Sequence, residues 1–155
     1  MLNIVLVQPE IPPNTGNVGR LCLATGSRLH LVRPLGFSIS DKQVRRAGLD
    51  YWDRVDLHLW DSLEELQEAA RQEGGSPRFL LLSKKATRPY WDEQFRDGDY
   101  LVFGRETKGL PEDLLERSPD RCLMIPMIEG STRSLNLATS VSAVLFEAVR
   151  QLSKD

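Results

Sequence analysis

Cysteine and histidine are scarce in this sequence, and long apolar runs are missing. Two cysteines and two histidines among 155 residues make neither a disulfide framework nor a cluster with the spacing of a metal site. No apolar run approaches the roughly 20 residues that span a bilayer. The first residues do not resemble the charged leader and long apolar region of a secretory signal. We therefore expect a cytoplasmic protein without membrane contact and without a metal.

A strong excess of either charge is also missing. The net charge of −2 provides no global attraction to nucleic acid. The charges are nevertheless uneven, because residues 20–54 carry seven basic and three acidic side chains, whereas residues 61–73 carry five acids and only Arg71. The basic segment fits either a polyanionic partner that contacts part of the surface or a solvated charged face.

Short apolar runs alternate with helical patterns along the chain. The predicted strands cover residues 2–7, 29–32, 55–60, 78–83, 100–103 and 122–125. The predicted helices start near Asn17 and cover residues 42–47, 62–72 and 136–152, with a short turn after Pro111. This alternation predicts a single α/β domain over residues 1–155, with a parallel sheet covered by helices on both faces.

Three loops follow predicted strands at the edge where parallel sheets bind ligands. PPNTGNVGR covers residues 12–20, FGRETKGLP covers residues 103–111, and IPMIEGSTRSLN covers residues 125–136. The third loop leads into the last helix, where Ser134 or Asn136 is the expected N-cap. Its apolar start, its Gly/Ser centre and the helix N-terminus suit a flat molecule with polar atoms, such as adenine.

The first two loops lack the glycine patterns of common phosphate-binding motifs. Gly16 and Gly19 do not have the G-x-G-x-x-G spacing of dinucleotide sites. Leu110 stands where a Walker A motif needs lysine. A dinucleotide site and a P-loop are therefore both disfavoured.

Polar side chains in these loops have structural and functional interpretations. Asn14 or Asn17 is expected to cap the helix that starts near Asn17. Arg20, one turn into that helix, is expected to point back towards the strand end, where a guanidinium binds phosphate or a ribose hydroxyl, unless it is an ordinary surface residue. Glu106 is a carboxylate for a ligand hydroxyl, a partner for an arginine, or a solvated charge.

Taken together and in this order, the three loops resemble the motifs of the SPOUT class of RNA methyltransferases, and the resemblance covers nearly the entire chain. It implies an α/β/α sandwich with a C-terminal deep trefoil knot, a homodimer, and S-adenosylmethionine as methyl donor. The stretches PEIPPNTGNVGRLC, LHLVRPLGF, RRAGLDYW and DGDYLVFG are similar to members of the class that methylate the ribose 2'-hydroxyl of tRNA. The implied target is the wobble nucleotide, cytidine or modified uridine 34, in the anticodon stem-loop of leucine tRNAs.

The resemblance also implies roles for individual residues. The implied contacts to S-adenosylmethionine are Leu82, Gly104, Ile125 and Ser134, with Glu106, Gly109, Met127 and Asn136 nearby. Asn14 would shape the first loop, and Arg20 would lie beside the reacting ribose. The basic patch is expected to bind RNA phosphates through Lys42, Arg45 and Arg46, and Tyr51 or Trp52 to stack on a base.

Three alternatives remain at this point. One is a module that binds RNA without catalysis, and another is a nucleotide-dependent oxidoreductase, which the missing dinucleotide fingerprint disfavours. The third is a SPOUT 2'-O-methyltransferase that acts on a different RNA site.

Overall fold

The computed structural model describes residues 1–153, with the side chains of residues 47–50 outside the description. Six parallel strands form one sheet. They are β1 (Asn3–Val7), β2 (Arg28–Val32), β3 (Leu57–Trp60), β4 (Phe79–Leu82), β5 (Tyr100–Phe103) and β6 (Cys122–Leu123). Their order across the sheet is β3-β2-β1-β5-β4-β6.

Within residues 1–153, five α-helices connect and cover the strands. They are α1 (Pro12–Thr25), α2 (Lys42–Gly48), α3 (Leu63–Gln72), α4 (Glu112–Arg117) and α5 (Leu137–Leu152). Short 3-10 helices occur at Leu49–Arg54, Tyr90–Asp92 and Pro119–Arg121. Within the described residues, no helix combines the length and the apolar character needed to cross a membrane.

Successive strand residues point to opposite sides of the sheet, and helices bury the side chains on both faces. Ile4 and Leu6 of β1 pack with buried side chains of α1, α2 and α5. Val5 and Val7, between and after them, pack with buried side chains of α3. The predicted α/β/α sandwich with a parallel sheet is thereby confirmed. The threading of the chain that would form a trefoil knot stays a prediction.

Helix α1 begins at Pro12, so the prediction of a start near Asn17 is wrong. Prolines occupy the first helical positions, where their fixed φ suits a helix and their missing N–H costs nothing. The N-cap is Ile11 and makes no side-chain hydrogen bond, so neither Asn14 nor Asn17 is the cap. Glycine and asparagine lower the intrinsic helix propensity of this segment, and packing decides its conformation instead. Gly19, for example, leaves room for the buried ring of Trp52, which an added Cβ would approach to 2.8 Å.

Two predicted strands are shorter by two residues at one end. Strand β6 ends at Leu123 rather than at residue 125, because Met124 forms backbone hydrogen bonds with residues 88–90, outside the strands of the sheet. The Met124 amide donates to the carbonyl of Arg88, and its carbonyl accepts from the amide of Tyr90. Strand β3 begins at Leu57 rather than at residue 55, because the amide of Val55 closes a turn by donating to the carbonyl of Trp52.

Candidate functional site

The connections of the sheet leave a crevice at the carboxyl ends of β1 and β5. The chain leaves β1 towards β2 on one side and leaves β5 towards β6 on the other. Ligands of open α/β sheets bind where neighbouring strands diverge in this way. A cavity of about 370 Å³ lies there, walled by the loops after β1, β4, β5 and β6 and by the start of α5.

The structure brings together all the residues that the sequence assigned to cofactor binding. Leu82 ends β4, Gly104 follows β5, and Ser134 precedes α5, yet all three line this one cavity. The other lining residues from that set are Glu106, Gly109, Ile125, Met127 and Asn136. Asn14 also lines the cavity, whereas Arg20, Lys42, Arg45 and Arg46 do not.

The loop after β5 is folded tightly against itself. Arg105 and Gly109 exchange backbone hydrogen bonds of 3.3 and 2.9 Å, and Gly109 has the left-handed φ of +67°. A Cβ on Gly104 would lie 2.1 Å from the carbonyl carbon of Gly109. Residue 104 must therefore be glycine for the loop to close beside the cavity.

Glu106 holds the start of α1 and is not a solvated charge. Its carboxylate accepts hydrogen bonds from the backbone amides of Glu10 at 2.8 Å and Ile11 at 3.0 Å. These amides lie at the entrance of a helix whose N-cap residue supplies no side-chain acceptor. The carboxylate also stands at the positive end of the helix dipole, where a negative charge is stabilising. Glu106 thus supplies the side-chain acceptor at the start of α1 that an asparagine was predicted to supply.

Two asparagine side chains extend this contact to the third loop. Asn14 Nδ2 donates to Glu106 at 3.4 Å, and Asn14 Oδ1 accepts from Asn136 Nδ2 at 2.9 Å. Asn136 Oδ1 in turn accepts from the amide of Thr139 at 3.3 Å, so Asn136, and not Ser134, caps α5. A carboxylate only accepts hydrogen bonds, and this requirement orients both amides. The chain of contacts ties three loops together along one wall of the cavity.

Sequence reasoning missed a second link between the loops after β1 and β5. The amide and the hydroxyl of Thr107 both donate to Glu10 Oε1, at 3.1 and 2.7 Å. These two bonds hold the pKa of the Glu10 carboxyl below its ordinary value, with help from the charges of Arg105 and Lys108. No local spacing reveals this pair, because its members are 97 positions apart in the chain.

The loop after β4 contributes residues that sequence reasoning also missed. Ser83, Lys84 and Lys85 line the cavity beside Leu82, and Lys85 forms an ion pair with Glu112 at the start of α4. With Arg105 and Lys108 they surround the apolar walls with positive charge. Such a cavity suits a ligand that has a flat apolar part and an anionic or strongly polar part.

Arg20 does not line the cavity, and its direction towards the strand end stays a prediction. Six residues beyond Asn14, it is about 9 Å further along the helix axis. Its side chain is exposed, and its guanidinium carbon lies 5.8 Å from the centre of the Tyr51 ring. Lys42, Arg45 and Arg46 lie on the neighbouring helix α2, which packs on α1.

The other predicted RNA-contacting residues differ in solvent exposure and in ion pairing. Lys42, Arg45 and Arg46 are all exposed on α2. Arg45 is 3.5 Å from the carboxylate of Asp53, which partly neutralises it. Of the two predicted stacking residues, Trp52 is buried under α1 and Tyr51 is exposed. Among the residues that the structure describes, no group of three or more His, Cys, Asp or Glu side chains could hold a metal ion.

The chain is similar to known proteins along almost its entire length. The sequence pattern of the SpoU rRNA Methylase family matches residues 1–146. The tRNA (cytidine(34)-2'-O)-methyltransferase of Saccharophagus degradans is 49% identical over 156 residues, which cover 98% of this chain and 96% of that protein. A solved structure from work on the 2-OH methylation of C/U34 on tRNA has a TM-score of 0.92 and 48% identity, covering 100% of this chain and 98% of that one. The SpoU methyltransferase AviRb from Streptomyces viridochromogenes, in complex with the cofactor AdoMet, has a TM-score of 0.87 and 26% identity, covering 99% of this chain and 58% of that longer one.

Proposed function

Because the chain belongs to the SpoU rRNA Methylase family, we propose that it transfers a methyl group from S-adenosylmethionine to the 2'-hydroxyl of nucleotide 34 of tRNA. The observation that carries this proposal is the extent of the similarity. The 49% identity to a tRNA (cytidine(34)-2'-O)-methyltransferase extends over 98% of the chain and therefore includes every loop around the cavity. Leucine tRNAs with cytidine or a modified uridine at the wobble position are the proposed substrates.

The cavity residues fit S-adenosylmethionine by their chemistry. Leu82, Ile125 and Met127 provide apolar surface for the adenine, and the turns at Gly104 and Gly109 bring backbone polar groups to the same wall. The AdoMet complex of AviRb supports this choice of donor. When bound, the donor supplies a methyl group on a positively charged sulfur, which makes the methyl carbon electrophilic.

In the proposed reaction, the ribose oxygen would form a bond to the methyl carbon while the carbon–sulfur bond breaks and S-adenosylhomocysteine leaves, and the hydroxyl proton would pass to solvent water. The chain's task is to align these atoms and to lower the cost of the developing negative charge on oxygen. We assign Arg20 to the ribose and its adjacent phosphate, where its charge stabilises the alkoxide. Arg20 is not the base that removes the proton, because a guanidinium has a pKa above about 12.

Asn14 has a positioning role in this proposal. Its amide joins Glu106 to Asn136 and so holds the start of α1 against the loops of the donor cavity. RNA that reaches both the cavity and Arg20 has to lie along α1, where exposed Lys42 and Arg46 of the neighbouring α2 are available to its phosphates. We further infer a homodimer, for which the half-exposed ring of Phe146 on α5 offers apolar surface.

The test is methyl transfer from labelled S-adenosylmethionine to leucine tRNA that lacks the wobble modification, followed by nucleoside mass spectrometry. We expect a 2'-O-methylated pyrimidine at position 34, and a decrease in kcat/KM of about 100-fold or more in Arg20→Ala, as for the loss of other groups that stabilise a developing oxyanion. Arg71→Gln, which changes an exposed arginine paired with Glu68 on α3, serves as the matched control.

Different results would favour different alternatives. Methylation of another nucleotide or another RNA would keep the reaction and change the substrate. Binding of the donor and RNA without transfer to any RNA would favour a module that binds RNA without catalysis.

A further inference from the structure

Arg20 and Arg54 are two of the exposed arginines for which the described side chains provide no carboxylate partner. Eight arginines form ion pairs with aspartate or glutamate. Among the described side chains, no carboxylate lies within ion-pair distance of Arg20 or Arg54. Both arginines are exposed. Two exposed guanidinium groups without an ion pair among the described side chains thus lie on the same side of the molecule.

Both charges converge on one aromatic ring. The guanidinium carbons of Arg20 and Arg54 each lie 5.8 Å from the centre of the Tyr51 ring, within the range of a cation–π contact. The ring itself is 39% exposed. Arg20 comes from α1, whereas Tyr51 and Arg54 come from the 3-10 helix Leu49–Arg54. The packing of this 3-10 helix on α1, through buried Trp52 against Gly19, therefore sets the position of the pair.

We propose that Arg20, Tyr51 and Arg54 form a binding site for a phosphodiester of the RNA substrate. Two like charges that share one ring as neighbour repel each other, and a bound anion reduces that repulsion. Guanidinium groups bind phosphate oxygens through paired, charge-assisted hydrogen bonds. Arg54 is the additional phosphate ligand, and Tyr51 is a positioning residue that restricts both guanidinium groups through its ring. This inference rests on the proposed RNA substrate and extends it to Arg54, which has no assigned role.

The test measures RNA affinity, which does not require methyl transfer. An RNA anticodon stem-loop is titrated with the full chain by fluorescence anisotropy at several KCl concentrations. The logarithm of the affinity falls linearly with the logarithm of the salt concentration. Each phosphate contact that is lost makes this negative slope shallower by about 0.7 to 0.9. We expect Arg54→Gln to show this reduced slope and about tenfold weaker binding at low salt, equally for different RNA sequences.

Variants at Tyr51 separate positioning from folding. Tyr51→Phe keeps the ring and is expected to retain most of the affinity that Tyr51→Leu loses. The affinity for S-adenosylhomocysteine should be the same in all of these variants, because none of the three residues lines the donor cavity. Arg71→Gln is the matched control, since this arginine is also exposed but is paired with Glu68.

The outcomes distinguish this site from the proposed function. If the wild-type chain binds the stem-loop and Arg54→Gln keeps the wild-type affinity and salt slope, the phosphate site is wrong and the methyltransferase proposal is untouched. Failure of the wild-type chain to bind any tRNA or stem-loop would overturn both.

Discussion

Gly104 shows how a single residue decides the shape of the candidate site. It directly follows β5, and the backbone atoms that approach it closely belong to the same loop. The backbone of Gly109 and Leu110 occupies the space that any side chain at position 104 would need. Flexibility at φ is not the reason here, because residue 104 is not among the glycines with positive φ.

Gly104→Ala is therefore expected to displace the loop after β5 and weaken donor binding at least tenfold. Calorimetric titration with S-adenosylhomocysteine measures the effect. The control is Gly75→Ala, in the loop between α3 and β4, where φ is +83° and nothing lies within 4 Å of the added Cβ. That variant is strained by about 1 kcal/mol but is remote from the cavity, so its donor affinity should be unchanged. Wild-type affinity in Gly104→Ala would contradict the proposed donor site.

At the scale of elements, the start of α1 is completed by a loop that is remote in sequence. The helix has prolines at its first positions and no capping side chain of its own. Glu106 supplies the acceptor for the amides of Glu10 and Ile11, and Glu10 in return accepts two bonds from Thr107. The loop of the donor cavity and the helix that carries Arg20 are thereby held in one arrangement.

Breaking the Glu10–Thr107 link is expected to lower kcat more than it lowers stability. Glu10→Ala removes both hydrogen bonds and should reduce kcat for methyl transfer about three- to tenfold, the range expected for hydrogen bonds of ordinary strength. The melting temperature should change little, because the link is exposed. The double variant Glu10→Ala/Thr107→Val should be no slower than Glu10→Ala, since coupled changes are not additive. Effects that simply multiply, or an equal loss in Glu68→Ala on α3, would refute the coupling.

At the scale of the whole molecule, a neutral histidine is built into the sheet. His30 of β2 is 3% exposed, accepts from Trp60 Nε1 at its Nδ1 and contacts Asn3 Oδ1 through Nε2, both at 3.0 Å. An indole N–H only donates, so the ring proton must be on Nε2. Burial, with smaller effects of His58 and Arg28, lowers the pKa of His30 to about 3.

Acid is therefore expected to destabilise the fold through His30. Below its ordinary pKa of about 6.5, the histidine of the unfolded chain binds a proton that the folded chain does not, so stability falls as the pH decreases from 6.5 towards 3. This loss in the free energy of unfolding reaches about 2 kcal/mol at pH 5 and is close to zero at pH 7.5. Urea unfolding at both pH values, in wild type and in His30→Gln, measures it. The variant should lose stability at pH 7.5 but show a smaller further loss at pH 5; equal pH dependence in the two proteins would exclude this role.

The sequence by itself determined the layers of this protein and the edge of the sheet that carries the site. Alternation of strands and helices is a local property, and parallel strands bring their carboxyl ends to one edge, so the loops after β1, β5 and β6 had to meet there. Asn136 was also predictable from the sequence as one of two possible N-caps of α5, because an N-cap side chain bonds to a backbone amide only three residues away.

Only the tertiary structure decided where α1 begins, which ring Arg20 contacts and what Glu106 does. Each depends on contacts between segments that are not neighbours in the chain: Glu106 with the amides of Glu10 and Ile11, and Arg20 with Tyr51. Propensity and periodicity describe a residue by its neighbours within a few positions, and they carry no information about such partners. The cavity was therefore predictable as a set of residues, whereas the hydrogen bonds that hold its walls together were not.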